Sequence, residues 1–200
     1  MMHLPKLMYL VLLALVVPGQ AGAQTKSLSD TAQKASPTAR DIEQSRSDFK
    51  RIVEVLRHPR CMNCHTVTEF PRQGDDRHRH QQMVMRGPKD RGVATMQCSN
   101  CHQETNSPDG RVPGAHNWHL APLSMGWEHL KTDKTLCEAF VDRKLNGGRD
   151  TAAIVTHLTT DPLVQWAWTP GARKPPHIAQ QEFHTLVRRW AQTGGACPKD

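Results

Sequence analysis

Two pentapeptides, Cys61-Met62-Asn63-Cys64-His65 and Cys98-Ser99-Asn100-Cys101-His102, decide how this chain is expected to fold. Both have the form Cys-x-x-Cys-His, which is the attachment pattern of a c-type haem. In that chemistry each thiol adds to one vinyl group of the porphyrin, and the histidine binds the iron. The sequence therefore predicts two covalently bound haems. Their attachment and proximal residues would be Cys61, Cys64 and His65 for haem 1, and Cys98, Cys101 and His102 for haem 2.

The same four cysteines are also compatible with a structural zinc site, because paired Cys-x-x-Cys motifs are common zinc ligands. That alternative leaves the histidine after each motif unexplained. Chance alone would rarely place a histidine after both motifs in a chain with 12 histidines among 200 residues. Haem attachment is therefore the favoured interpretation.

Residues 1–23 have the pattern of a cleavable signal peptide. A short basic start precedes an apolar run from Leu7 to Val17, and Ala21-Gly22-Ala23 supplies a small-residue cleavage site. The apolar run is too short for a comfortable membrane span. We expect an exported, periplasmic protein that starts near Gln24 and has no stable membrane insertion.

Two cysteines, Cys137 and Cys197, lie outside the haem motifs. In an oxidising compartment they are expected to form one disulfide. It would close a long loop and stabilise the fold by about 2–4 kcal/mol. A pair of buried free thiols is the alternative.

The chain is basic, with a formal net charge of +7. Nucleic-acid binding is disfavoured, because the chain has an export signal and lacks long Lys/Arg runs or basic residues interleaved with aromatic ones. A basic surface is better suited to docking onto an acidic redox partner. Aromatic residues are few for the length, and two porphyrins would add apolar core.

Residues 24–46 are polar and are expected to form a flexible leader, followed by a domain over residues 47–200. Ser47-Asp48 is expected to cap the first helix, which ends before Pro59. Three later helices are expected from Thr132 or Asp133 to Asn146, from Asp150 to Asp161, and from about Ile178 to Thr193. In the helix that starts at Thr132 or Asp133, the hydrophobic periodicity predicts that Val141 and Leu145 face the core.

The predicted fold class is mainly α, with long loops and little or no β structure. His65 and Cys98 are separated by 32 residues. That is too short for two tandem single-haem domains, in which the second iron ligand lies much further downstream. The spacing instead favours a compact, cytochrome c-like module in which both haems share one core.

Each six-coordinate haem also needs a second axial ligand. In the polar stretch between the motifs, His80 is favoured over His78 as this ligand. Met125 is the other favoured candidate, and it lies in an apolar loop flanked by Trp118 and Trp127. We expect His80 for haem 1 and Met125 for haem 2, because each follows its motif along the chain. A crossed pairing remains open if the haems share a core. The rival ligands are His119, Met83 and His157.

Several segments resemble a family of small exported di-haem cytochromes, often labelled isoquinoline 1-oxidoreductase-like subunits. The segments are His58–His65, Gln73–Asp76 with His80, Arg86-Gly87, Asn117–Pro122, Asn146–Gly148 and Thr193–Pro198. The resemblance runs from about residue 47 to the end. It implies a role in carrying electrons from a periplasmic molybdenum hydroxylase towards the respiratory chain. Nothing in the chain resembles a molybdopterin or iron–sulfur site.

The sequence thus predicts a non-enzymatic protein that passes single electrons between redox partners. Full coordination would block access of substrates to either iron. The alternative is a small di-haem peroxidase or a haem-based gas sensor with one open coordination position. The chain is short for a peroxidase, and no distal acid/base pair can be assigned.

Overall fold

The computed structural model describes residues 36–199. The predicted signal peptide and residues 24–35 of the predicted leader lie outside this range. The described chain is mainly helical, as predicted. Its α-helices are α1 (Ala39–Leu56), α2 (Pro59–Met62), α3 (Asp133–Val141), α4 (Thr151–Thr160), α5 (Pro162–Gln165) and α6 (Gln180–Gln192). None of the helices within residues 36–199 is both long and apolar enough to cross a membrane.

The strands are short and form two antiparallel hairpins. In the first, β1 (Arg72–Gln73) pairs with β2 (His78–Arg79). In the second, β3 (Gly92–Val93) pairs with β4 (Met96–Gln97). Both lie in the long irregular region between α2 and α3, which begins within the first Cys-x-x-Cys-His motif and contains the second.

Helix α1 begins at Ala39, eight residues before the predicted start. Thr38 and Asp41 form a capping box, in which each side chain accepts a hydrogen bond from the other's backbone amide. Asp48 is therefore not a cap but a buried residue, 1% exposed, that accepts two hydrogen bonds from Arg189 of α6 at 2.7 and 2.5 Å. The prediction of a flexible leader was wrong for residues 39–46.

The core lies where α1 packs against α6 and α3, and where α4 packs against α6. Three aromatic rings meet at its centre, with centroid separations of 5.9 Å for Phe49–Phe140 and 5.5 Å for Phe49–Trp190. The predicted apolar face of α6 is buried as expected, through Phe183, Leu186, Val187 and Trp190. This helical core supports the loops that carry the motifs.

The later helices start where their caps predict. Thr132 forms a capping box at α3, and the Asp150 side chain accepts a hydrogen bond from the backbone amide of Ala153 at the start of α4. Helix α3 ends at Val141, earlier than predicted, because the chain becomes extended at Asp142. Leu145 is consequently 42% exposed, and its predicted inward position was wrong. Val141 is also exposed.

The predicted disulfide between Cys137 and Cys197 is present. It joins α3 to the segment after α6, with a Cα–Cα distance of 5.5 Å. Cys137 is fully buried in the helical core. The alternative of two buried free thiols is therefore wrong.

Candidate functional site

Each Cys-x-x-Cys-His motif is wound into one helical turn. The first motif continues from α2, where His65 donates its backbone N–H to the Cys61 carbonyl at 3.0 Å. The second forms a short 3-10 helix over Cys98–Asn100, and His102 donates in the same way to Cys98 at 2.9 Å. A single turn places both thiols and the histidine close together, as attachment to one porphyrin requires. All four motif cysteines are free thiols.

The two motif histidines are held in the same manner. The Nδ1 of His65 lies 2.8 Å from the carbonyl oxygen of Met125, and the Nδ1 of His102 lies 2.7 Å from that of Pro113. A carbonyl oxygen can only accept, so Nδ1 carries the proton in both rings. Each neutral imidazole therefore presents the lone pair of its Nε2, which is the form that binds a metal.

Tryptophan rings fix the orientation of both imidazoles. Trp127 stacks on His65 with centroids 3.6 Å apart and planes 12° apart. Trp118 stacks on His102 at 4.5 Å and 7°. Both tryptophans that flank the Met125 loop therefore lie against a motif histidine.

Burial keeps both motif histidines uncharged. It lowers the pKa of His65 to about 4 and also lowers the pKa of His102, so both imidazoles are neutral at neutral pH. Burial also raises the pKa of Cys61 to about 12 and that of Cys64 to about 11. The two motifs are neighbours, because Cys64 of the first lines the same cavity as Cys98 of the second.

Each motif opens into its own cavity. The first cavity, of about 130 Å³, is lined by Cys61, Cys64 and His65. The second, of about 530 Å³, is lined by Cys98, Cys101 and His102. The second lies within the usual range for small-molecule sites, about 300–1,000 Å³, and the first lies below it. The cavities share a wall formed by Arg60, Cys64, Trp118, His119 and Trp166.

His80 lies in the second cavity. Its ring centroid is 6.2 Å from that of His102, and the ring planes are 75° apart. Burial lowers its pKa, and its Nδ1 is buried without a hydrogen-bond partner. The two carboxylates of the preceding loop contact other residues: Asp76 pairs with the exposed His78, and Asp75 with Arg60.

Met125 lies beside the first motif. Its carbonyl group accepts the hydrogen bond from His65, and the residue lines the first cavity. The pairing in space is thus the reverse of the one expected from chain order. The rival Met83 is 62% exposed. His157 lines the first cavity, and His119 lines both.

Buried arginines are functional candidates that the sequence analysis missed. Arg60 lines both cavities, donates to Asp75 at 2.7 Å, and has a buried Nε with no partner. Arg173 also lines the second cavity. Arginines beside apolar cavities suit a cofactor that carries carboxylates, as the haem propionates do. In the sequence, the only indication of such a role was the position of Arg60, directly before Cys61.

The residues present therefore fit haem. They supply two thiols and one oriented neutral imidazole at each of two cavities, with Arg60 at the wall of both and Arg173 at the wall of the second. The zinc alternative is not supported, since no three His, Cys, Asp or Glu side chains within residues 36–199 cluster closely enough to hold a metal ion.

Searches of protein-family models, curated proteins and solved structures found no match to this chain.

Proposed function

We propose that the protein is a periplasmic di-haem c-type cytochrome that transfers single electrons between redox partners. The observation that carries this proposal is the duplicated arrangement at the motifs. In both, a half-buried histidine donates Nδ1–H to a backbone carbonyl and keeps Nε2 free at a cavity lined by the two motif thiols. When bound, each haem would supply an iron that gains and loses one electron.

The chain's own residues would attach, orient and shield the two haems. Cys61 and Cys64 would hold haem 1, and Cys98 and Cys101 would hold haem 2. Stacking by Trp127 and Trp118 would limit rotation of the two proximal imidazoles. Arg60 would be placed to compensate propionate charge. A rigid, largely buried site undergoes little reorganisation when its charge changes, and this favours rapid electron transfer.

The shared cavity wall supports transfer between the two haems. Cys64, an attachment residue of haem 1, also lines the cavity of haem 2. Trp118 stacks on the haem 2 ligand and meets Trp166, with centroids 4.9 Å apart. Two cofactors separated only by this wall would lie side by side, within reach of direct electron exchange.

The second haem is proposed to have two histidine ligands, His102 and His80. Metal–imidazole bonds are about 2 Å long, so two imidazoles on one metal ion have ring centroids about 6 Å apart. The ring centroids of His80 and His102 are 6.2 Å apart in the structure. Two protein ligands leave no open position on the iron, which favours electron transfer over peroxidase or gas-sensor activity.

The partners are proposed to be redox proteins with an acidic docking face. The chain from Gln24, which lacks Lys6, would carry a formal net charge of +6 before any cofactor charge is counted, and this would steer such partners towards the protein. A molybdenum hydroxylase is the donor implied by the resemblance to small exported di-haem cytochromes.

Electron transfer is tested on the purified holoprotein in two steps. The reduced protein is first titrated with carbon monoxide, and the oxidised protein with peroxide. Unchanged haem bands at stoichiometric concentrations are expected. Electron exchange is then followed by stopped flow with a small acidic redox protein and with a basic one of similar potential. Only the acidic partner should react more slowly as salt rises.

Carbon monoxide binding at one equivalent per chain, with peroxide turnover, would instead establish the peroxidase or sensor alternative.

A further inference from the structure

We infer that His157, held by Asp161, is the second axial ligand of haem 1. This inference rests on the proposed function, because it assigns a residue to a haem that the proposal places in the first cavity. It replaces Met125 as the candidate for that position and gives both haems two histidine ligands.

The position of His157 in the fold supports the assignment. It lies in the last turn of α4, between Ile154 and Leu158, which are both buried in the helical core. All three residues line the first cavity. The motif residues Cys61 and His65 reach that cavity from α2 and the turn that follows it. His157 and His65 are therefore brought to one cavity by separate elements.

The hydrogen bonding of His157 is that of a metal ligand. Its Nδ1 lies 3.1 Å from Oδ2 of Asp161. The same carboxylate is fixed by its other oxygen, which accepts from the backbone amide of Leu163 at 2.9 Å as the N-cap of α5. A carboxylate that accepts from Nδ1–H leaves the lone pair on Nε2 and makes the imidazole a stronger ligand. His65 presents Nε2 in the same way.

Met125 is poorly placed for the role. Its carbonyl oxygen is bonded to Nδ1 of His65, so its backbone lies behind the imidazole, on the side away from Nε2. A second ligand must approach the iron from the opposite face. To do so, the Met125 thioether would have to pass both the imidazole and the plane of the cofactor. The Met125 methyl group instead lies against Gly147.

His119 is the other histidine of the first cavity. Its Nδ1 lies 2.5 Å from the carbonyl oxygen of Asn117, and its side chain is half-buried, as is that of His157. His119 differs from His157 in its place, because it lies in the wall shared by both cavities rather than in the first cavity alone.

His157 and Asp161 meet at the end of α4, where their contact would stabilise the helix whether or not His157 binds iron. The experiment must therefore distinguish ligation from this structural role. The test counts open iron positions in full-length holoprotein variants by carbon monoxide titration after reduction. We expect no binding to the wild type, one equivalent per chain for His157→Ala, one for His80→Ala and two for the double variant. Neither His119→Ala nor the matched control His184→Ala, a half-buried histidine of α6 outside both cavities, should bind it.

A second measurement keeps the inference testable if His157→Ala fails to assemble. The oxidised wild type should lack the far-red sulfur-to-iron band of a methionine-ligated haem, and Met125→Leu should leave the spectrum unchanged. Presence of that band, with its loss in Met125→Leu, would overturn the inference in favour of Met125. One equivalent of carbon monoxide binding to His119→Ala would overturn it in favour of His119.

Asp161 is a positioning residue, and its variant separates ligation from helix capping. Asp161→Asn should keep both haems six-coordinate but raise the potential of one of them, because a weaker hydrogen-bond acceptor makes the imidazole less basic. An unchanged potential would contradict the proposed role of Asp161. A protein that binds no haem would refute the proposed function itself, whereas two haems with unaltered ligation in His157→Ala would refute only this inference.

Discussion

Removal of the disulfide gives a quantitative test of how the helical core is stabilised. Cys137 and Cys197 are 60 residues apart along the chain, and their link joins α3 to the segment after α6. The double variant Cys137→Ala/Cys197→Ala removes the link without adding a polar group to the core. Neither residue lines either cavity.

The expected loss follows from loop closure. A cross-link that closes a loop of this length restricts the unfolded chain by about 4 kcal/mol at 25 °C. Because Cys137 is fully buried, the missing sulfur atoms add a packing loss. The free energy of unfolding should therefore fall by at least about 3–4 kcal/mol. The denaturant m-value should rise, since the unfolded chain becomes more expanded.

Urea denaturation of the holoprotein, followed by tryptophan fluorescence, measures both quantities. Chemical reduction of the wild type provides an independent comparison and should give a smaller loss than the double variant, because it breaks the cross-link but keeps both sulfur atoms. The haem spectrum should be unchanged in the folded variant. A loss below about 1 kcal/mol would refute the reasoning that this link restricts the unfolded chain.

Two further substitutions test the loops that hold the motifs. Burial alone would raise the pKa of Glu128, but hydrogen bonds led by the backbone amide of Val67 outweigh it and hold this pKa below its usual range. The stability supplied by the carboxylate is therefore present above the unfolded-state pKa of about 4.3 and is lost as the pH falls through the lower folded-state value. Glu128→Gln should lower Tm at neutral pH, and its difference from the wild type should shrink on acidification; a constant difference would contradict this. Gly114→Ala should weaken ligation of haem 2 alone, because the added methyl group overlaps the backbone of Thr105 and shifts the loop that holds His102. Loss of the haem 1 signal, or normal spectra, would contradict that assignment.

The sequence predicts those parts of the structure that depend on local chemistry. The caps at Thr132 and Asp150 start α3 and α4 as expected, because their side chains bond to amides within the next three residues. The apolar face of α6 follows directly from its periodicity. The disulfide was predictable because only two cysteines lie outside the motifs.

Features that depend on distant contacts could not be predicted. Residues 39–46 look like a polar leader, but Ser45 is buried because its hydroxyl group donates to Trp190 and accepts from Ala196, about 150 positions away. The motif beside which His80 lies could likewise not be predicted. His80 follows β2, and the β1–β2 hairpin is part of the loop region that brings this residue to the second motif rather than the first.

The intact mass of the acid-denatured, purified holoprotein measures how many haems are covalently bound. We expect a mass equal to the chain from Gln24 plus two haems, with colour retained after acid extraction. The variant Cys98→Ala/Cys101→Ala should retain one haem. A wild-type mass showing one haem or none would contradict covalent attachment at both motifs.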